Sequence, residues 1–184
     1  DLIYKSNSLA RSKYDITLVQ ARFIAFLSSF VDKDDEDFFT YQIQIKPVLD
    51  FLEIDRVNLK YLSNTLKQLQ TTLICLQDDD EAESYTTFLS FFKLDKKNEL
   101  LEFRFDSSLK KHYVQLKNNF TTLEVANYKK FESIFTIKIY ELIKSNFQLY
   151  KKYENSLFRE FIIDTDEFRN KIASKLVKGK FEVP

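Results

Sequence analysis

Leucines at positions 59, 62, 66, 69 and 73 follow one another at intervals of 3, 4, 3 and 4 residues. That spacing keeps them on a single face of a 3.6-residue helix, and it predicts a helix over residues 57–72 with one continuous apolar stripe. The opposite face is polar: Asn58, Lys60, Ser63, Asn64, Lys67, Gln68 and Thr71. Just upstream, Pro47 opens the short apolar run PVLDFLEI, and proline is accepted in the first turn of a helix. Residues 55–58 connect the two. A short helix, a tight connection and a longer one-faced helix form the pattern of a helix-turn-helix.

The flanking segments extend this pattern. Val19, Phe23, Phe26 and Phe30 share a helical face over residues 17–30, with Thr17 placed to cap the first turn. The acidic run DKDDED, residues 32–37, ends that helix. Phe39, Tyr41, Ile43 and Ile45 then alternate with Thr40, Gln42 and Gln44, the period of a half-buried strand. Beyond the leucine stripe, residues 73–76 read as a short apolar strand and DDDEAE, 78–83, as an acidic loop. Residues 85–94 and 100–105 read as strands joined by the turn Asp95-Lys96-Lys97-Asn98. A helix-turn-helix followed by a hairpin with a basic tip is the order of a winged helix. Ser107 or Ser108 is expected to cap a helix reaching about residue 116. Residues 128–148 are expected to form one long helix, 161–163 a strand, and Thr165 to cap a last helix. Helix, strand, helix over 17–52 and again over 128–177 suggests an internal duplication.

Composition narrows the function classes. One Gly and two Pro in 184 residues leave few loop breakers. The single glycine, Gly179, rules out a glycine-rich phosphate loop. The single histidine, His112, rules out a His-pair metal site or a catalytic triad within one chain. The acidic runs lack the alternation and glycine of a calcium loop. Cys75, in the apolar run LICL, reads as a buried small hydrophobe, and with no second cysteine no disulfide forms within the chain. A reducing, cytoplasmic setting is expected. No apolar run approaches the ~18 residues of a membrane span, and the start lacks a signal-peptide pattern. The absence of methionine suggests a partial chain. Net charge is zero, but residues 1–106 carry 13 Lys/Arg against 19 Asp/Glu, and residues 107–184 carry 15 against 9. An excess of basic residues in one half points toward a polyanionic partner.

The opening SNSLARSKYDITLVQAR holds Ser6, Asn7, Leu9, Tyr14, Ile16, Thr17, Gln20 and Arg22. It resembles the start of the iteron-binding plasmid replication initiators. The resemblance continues through Tyr61, Leu62, Leu66 and Leu69, then Phe103, Phe105, Leu116, Phe120 and Thr121. FESIFTIKIYELIKS carries Ser133, Ile139, Tyr140, Glu141, Leu142 and Ile143 in matching places, and IIDTDEFRNKI carries Phe168 and Arg169. The resemblance implies an α+β fold of two winged-helix domains related by pseudo-duplication. The first is expected over residues 1–118 and the N-terminal part of a second over 119–184, since the chain stops at Pro184 before the family's base-reading helix. It further implies a non-enzymatic protein that binds repeated sites on double-stranded DNA, helps to open the origin and recruits a host initiator and replicative helicase. A homodimer through the first domain, repressing the protein's own gene, is also implied.

For DNA, phosphate contacts supply affinity and base contacts supply specificity. The candidates are Asn58, Lys60, Asn64 and Lys67 on the polar face of the stripe helix, and Lys96 and Lys97 at the hairpin tip. Lys110, Lys111, Lys129 and Lys130 are candidates at helix starts, and Arg169, Lys171 and Lys175 on the last helix. No cofactor is expected. Arg22 and Tyr140 lie among apolar residues and are expected to pack. Two other readings stand beside this one: a winged-helix transcriptional regulator, and a protein-interaction module holding its partner through exposed aromatics.

Overall fold

The structure is a computed structural model, and it describes residues 1–77 and 83–147. In chain order the elements are β1 (Leu2–Ser6), α1 (Asn7–Arg11), β2 (Lys13–Tyr14), α2 (Leu18–Ser28), β3 (Tyr41–Gln44) and α3 (Ile45–Leu52). A 3-10 turn (Arg56–Asn58) leads into α4 (Leu59–Thr71). There follow β4 (Ile74–Gln77), β5 (Glu83–Thr86), β6 (Leu89–Asp95), β7 (Leu100–Phe105), a second 3-10 turn (Ser107–Leu109), α5 (Lys110–Tyr113), β8 (Phe120–Glu124), α6 (Val125–Lys130) and α7 (Ile134–Phe147).

The winged helix is built from α2, β3, α3, α4, β6 and β7. Its sheet has the order β3-β7-β6, with all neighbours antiparallel. Thr17 and Gln20 close a reciprocal capping box at the start of α2, which satisfies two of the helix's free N–H groups. Phe23, Ile24 and Leu27 of α2 meet Leu62, Leu66 and Leu69 of α4 and Leu101, Phe103 and Phe105 of β7 in one core, and all are buried. The aromatic content is concentrated here: Phe103 stacks on Tyr41 at 5.2 Å and Phe105 on Tyr113 at 5.4 Å.

Several sequence expectations are corrected. The leucine stripe ends one residue early. Thr72 is extended, so Leu73 leaves the helix face and is 59% exposed. Residues 85–94 are two strands, not one. β5 pairs with β4 in a sheet of order β2-β4-β5, whereas β6 pairs with β7 in the wing sheet. The chain crosses between sheets at Thr87 and Phe88. The cap after β7 is Asp106, whose carboxylate accepts from the Ser108 N–H at 3.0 Å, and α5 ends at Tyr113 rather than near 116. Cys75 is half-buried on β4, not fully buried.

The expected long helix 128–148 is broken into α6 and α7. The Arg22 guanidinium donates to the carbonyls of Tyr128 (3.1 Å), Lys129 (3.1 Å) and Phe131 (2.8 Å). These groups are therefore held by a side chain at the end of α6 rather than by a continuing helix. Ser133 starts α7, its hydroxyl accepting from the Phe135 N–H at 3.2 Å. Arg22 is thus a helix cap, more than the packing residue that its apolar neighbours suggested.

Residue 118 does not mark a break in packing. β8 pairs with β1 from Leu2↔Glu124 to Ser6↔Phe120, and Leu123, Val125, Tyr128 and Ile137 join the same buried core as Ile3 and Leu9. The strand and helix expected at 161–177 lie outside the described residues.

Candidate nucleic-acid interface

The candidate interface is assembled from three neighbouring pieces: the connection after α3, the outer face of α4 and the tip of the β6–β7 hairpin. α3 ends at Glu53, which adopts a left-handed conformation (φ 57°, ψ 40°), a geometry unfavourable for a residue with a Cβ. Its carboxylate lies 3.7 Å from Arg22. The following turn is held by the Asn58 N–H donating to the Asp55 carbonyl at 2.8 Å.

On α4 the side chains divide as the leucine spacing requires. Leu62, Leu66 and Leu69 are fully buried, while Asn58, Lys60, Asn64 and Lys67 lie on the outer, polar side, with both lysines exposed. The wing tip is equally determined by local chemistry. One Asp95 carboxylate oxygen accepts from the backbone N–H groups of Lys97 and Asn98 at 3.0 Å each, and the other accepts from the Asn98 side chain at 2.8 Å. The hydrogen bonds from Asn98, joined by the Lys97 N–H, hold the Asp95 carboxyl below its ordinary pKa. Glu99 then turns the chain back at φ 57°. Lys96 and Lys97 project from this turn into solvent.

Two contacts fasten the wing to the helix-turn-helix. The Glu99 carbonyl accepts from the Ile45 N–H at 2.8 Å, and the Glu99 carboxylate forms an ion pair with Arg56, the first residue of the turn into α4. Both the basic tip and the α4 face are therefore referenced to one short stretch of backbone. Arg56 does not stand out in the sequence, because nothing in a local pattern reveals a partner 43 residues away.

The lysines differ in how far the protein already satisfies them. Among the described residues, Lys60, Lys67, Lys96 and Lys97 form no ion pair. Lys110 instead lies 3.1 Å from Asp37, at the end of the acidic loop, and this contact holds the Asp37 carboxyl below its ordinary range. Lys111, beside it, is exposed. Lys129 and Lys130 occupy the last turn of α6, not the start of a helix as expected from the sequence. Cations are favoured there by the helix dipole. Lys129 also reaches the Asp50 carbonyl of α3 at 3.3 Å. Arg169, Lys171 and Lys175 lie outside the described residues.

A one-faced helix, preceded by a tight turn and followed by a hairpin in a β3-β7-β6 sheet, defines a winged-helix protein. The initiator replication protein WH1 family matches residues 2–144, and the chain belongs to that family. Among solved structures, it is similar to the Pi initiator protein determined in complex with iteron DNA. The TM-score is 0.68 at 16% sequence identity, over 99% of this chain and 75% of that one. The fold is thereby shared well beyond what sequence identity reveals. Comparison with curated proteins finds no match. Among the described residues, no helix is long and apolar enough to cross a membrane, and no cluster of His, Cys, Asp and Glu could hold a metal ion.

Proposed function

We propose that this chain is the DNA-engaging part of a plasmid replication initiator, binding repeated duplex sites at an origin. The observation that carries this reading is the pairing of two cationic surfaces that form no ion pair among the described residues. These are the α4 face with Lys60 and Lys67, and the wing tip with Lys96 and Lys97, coupled through Arg56 and Glu99. α4 enters the major groove with Asn58 and Asn64 toward base edges, and the wing lysines meet phosphate. Lys129 and Lys130, and beyond the described residues Arg169, Lys171 and Lys175, add phosphate contacts. Lys110 and Lys111 contribute through the same charge. The protein works without a cofactor or a catalytic step, in the cytoplasm. It opens adjacent DNA and recruits a host initiator and replicative helicase.

The domain division is proposed in revised form. The first winged-helix unit runs through α7, because β8, α6 and α7 share its core, and part of a second unit follows. A homodimer through the first unit acts as repressor of the protein's own gene. Its support is that the wing sheet and the β2-β4-β5 sheet each end in strands whose outer edges are unpaired within the described chain.

Fluorescence anisotropy tests the reading. The chain is titrated against a duplex carrying the DNA that flanks its own gene and against an unrelated duplex of equal length, across a salt series. Preferential binding that falls steeply with salt is expected. Equal, salt-insensitive behaviour toward both duplexes would overturn it.

A further inference from the structure

Val57 is the most exposed large hydrophobic residue among those described, at 89%. Isolated surface hydrophobes are common and need no explanation. The position of this one is unusual. It is the middle residue of the 3-10 turn that opens α4, with Arg56 before it fastened to the wing through Glu99. Asn58 follows it, and the half-exposed Tyr61 stands one turn further along the same helix. The backbone carrying Val57 is thus fixed on both sides, by the Arg56 ion pair and by the hydrogen bond from the Asn58 N–H to the Asp55 carbonyl. An apolar side chain therefore stands in solvent at the leading end of a helix whose outer face, Tyr61 apart, is polar and cationic.

We infer that Val57 is a specificity residue that packs on the 5-methyl group of thymine in the major groove. This rests on the proposed docking of α4 and assigns that helix a sequence preference. The thymine methyl is the one apolar feature on a major-groove edge, and the N-terminal residues of a recognition helix are those that reach base edges. The neighbouring Asn58 and Asn64 carry carboxamides that match the N6/N7 edge of adenine. Valine beside asparagine therefore selects A·T pairs, with the two residue types reading opposite partners of a pair or adjacent pairs. Lys60 and Lys67 are exposed on the same polar face and supply attraction to phosphate with no sequence preference.

The test uses the repeat-bearing duplex that flanks the gene. Single thymines are replaced one at a time by deoxyuridine, which removes the methyl group and keeps the base pairing. Affinities are measured for the unaltered chain and for Val57→Ala. At one or two thymines the unaltered chain should lose about fourfold in affinity, the equivalent of ~0.8 kcal/mol for one buried methyl. Val57→Ala should bind the thymine duplex as weakly as the unaltered chain binds the deoxyuridine duplex, and should be indifferent to the replacement. Thermal unfolding should be the same for both chains, since the side chain is in solvent. If deoxyuridine costs both chains the same, the methyl is sensed elsewhere and the assignment to Val57 is wrong. If it costs neither chain anything while binding stays specific for the flanking duplex, the methyl-reading role is wrong and the DNA-binding reading survives. If no duplex is bound even at low salt, that reading falls and this inference with it.

Discussion

The Lys5 ammonium lies 2.7 Å from the Glu141 carboxylate, and both side chains are buried, so an ion pair inside the core joins β1 to α7. The same carboxylate accepts from the Tyr128 hydroxyl at 2.6 Å and, on its other oxygen, from Tyr14 at 3.4 Å. Burial, reinforced by the charge on Glu141, keeps both phenols well above their ordinary pKa, so they remain donors. Removing one member of a buried pair leaves the other charge uncompensated, at a cost of about 3–5 kcal/mol. Lys5→Ala should approach that loss in urea unfolding. The double change Lys5→Met with Glu141→Gln should recover part of it, because no buried charge then remains and the carboxamide oxygen still accepts from the Tyr128 hydroxyl.

Arg22 carries a second long-range connection, from α2 to the end of α6. Its planar fork serves three carbonyls and reaches Glu53 as well. Arg22→Ala should cost about 2 kcal/mol, since hydrogen bonds from a charged donor contribute roughly 1.5–3 kcal/mol and solvent replaces part of that once the side chain is gone. For a chain of this length that lowers Tm by about 4–8 °C. Arg22→Lys should recover little, because a single ammonium cannot span the same fork of acceptors. Differential scanning fluorimetry of the two variants decides the matter, and equal stability of Arg22→Lys and the unaltered chain would show that charge alone suffices.

The Lys5–Glu141 pair and Arg22 mark the boundary of what is legible in the sequence. Local periodicity locates α2, α4, β3 and the wing hairpin, because each element's burial is set by its own residues. Pairing of β1 with β8 joins residues more than a hundred positions apart, and no local pattern encodes it. The break between α6 and α7 lies in a stretch that is apolar enough to continue as helix, and what interrupts it is an arginine from α2. The division of residues 85–94 into two strands follows from a change of sheet at Thr87 and Phe88, although their composition is uniformly strand-like. At the interface, spacing and charge are enough to find Lys60, Lys67, Lys96 and Lys97. They are not enough for Arg56 and Val57, since the first needs its ion pair with Glu99 and the second its exposure to be noticed.

Two leucines of the same stripe should respond in opposite ways. Leu66 is fully buried in α4 and Leu73, seven residues on, is 59% exposed. Leu66→Ala should destabilise the protein by about 2–5 kcal/mol, through the apolar surface no longer buried and the residual cavity. Leu73→Ala should stay within about 0.5 kcal/mol, as surface changes usually do. Chemical denaturation of the pair measures both, and a large loss at Leu73 would mean that the exposed leucine is covered in solution.

The wing tip has an acid limit set by Asp95. Hydrogen bonds from the Asn98 backbone and side chain lower its folded pKa, so its contribution to the turn is fully present above the ordinary carboxylate pKa. It is lost as pH falls through the depressed folded value. NMR titration should place the Asp95 carboxyl below the ordinary aspartate value, with the Lys97 and Asn98 amide resonances moving in step. Asp95→Asn, which keeps an acceptor but no charge, should abolish that coupled movement while leaving the β6–β7 pairing intact.

The polar face of α4 offers the most direct test of the interface. Lys60 and Lys67 are exposed and without ion-pair partners among the described residues, so replacing both with alanine removes charge and no packing. Stability should be unchanged within about 0.5 kcal/mol. Every phosphate that a lysine no longer neutralises lowers the slope of log affinity against log salt by about 0.9. The double variant should therefore bind duplex DNA more weakly and with a slope smaller by roughly 2. The weakening should be similar on the flanking and the unrelated duplex, because phosphate contacts carry no sequence information. That distinguishes this variant from Val57→Ala, whose effect is confined to particular thymines. An unchanged slope in Lys60→Ala with Lys67→Ala would remove α4 from the interface and leave the wing and α6 as the surfaces that hold DNA.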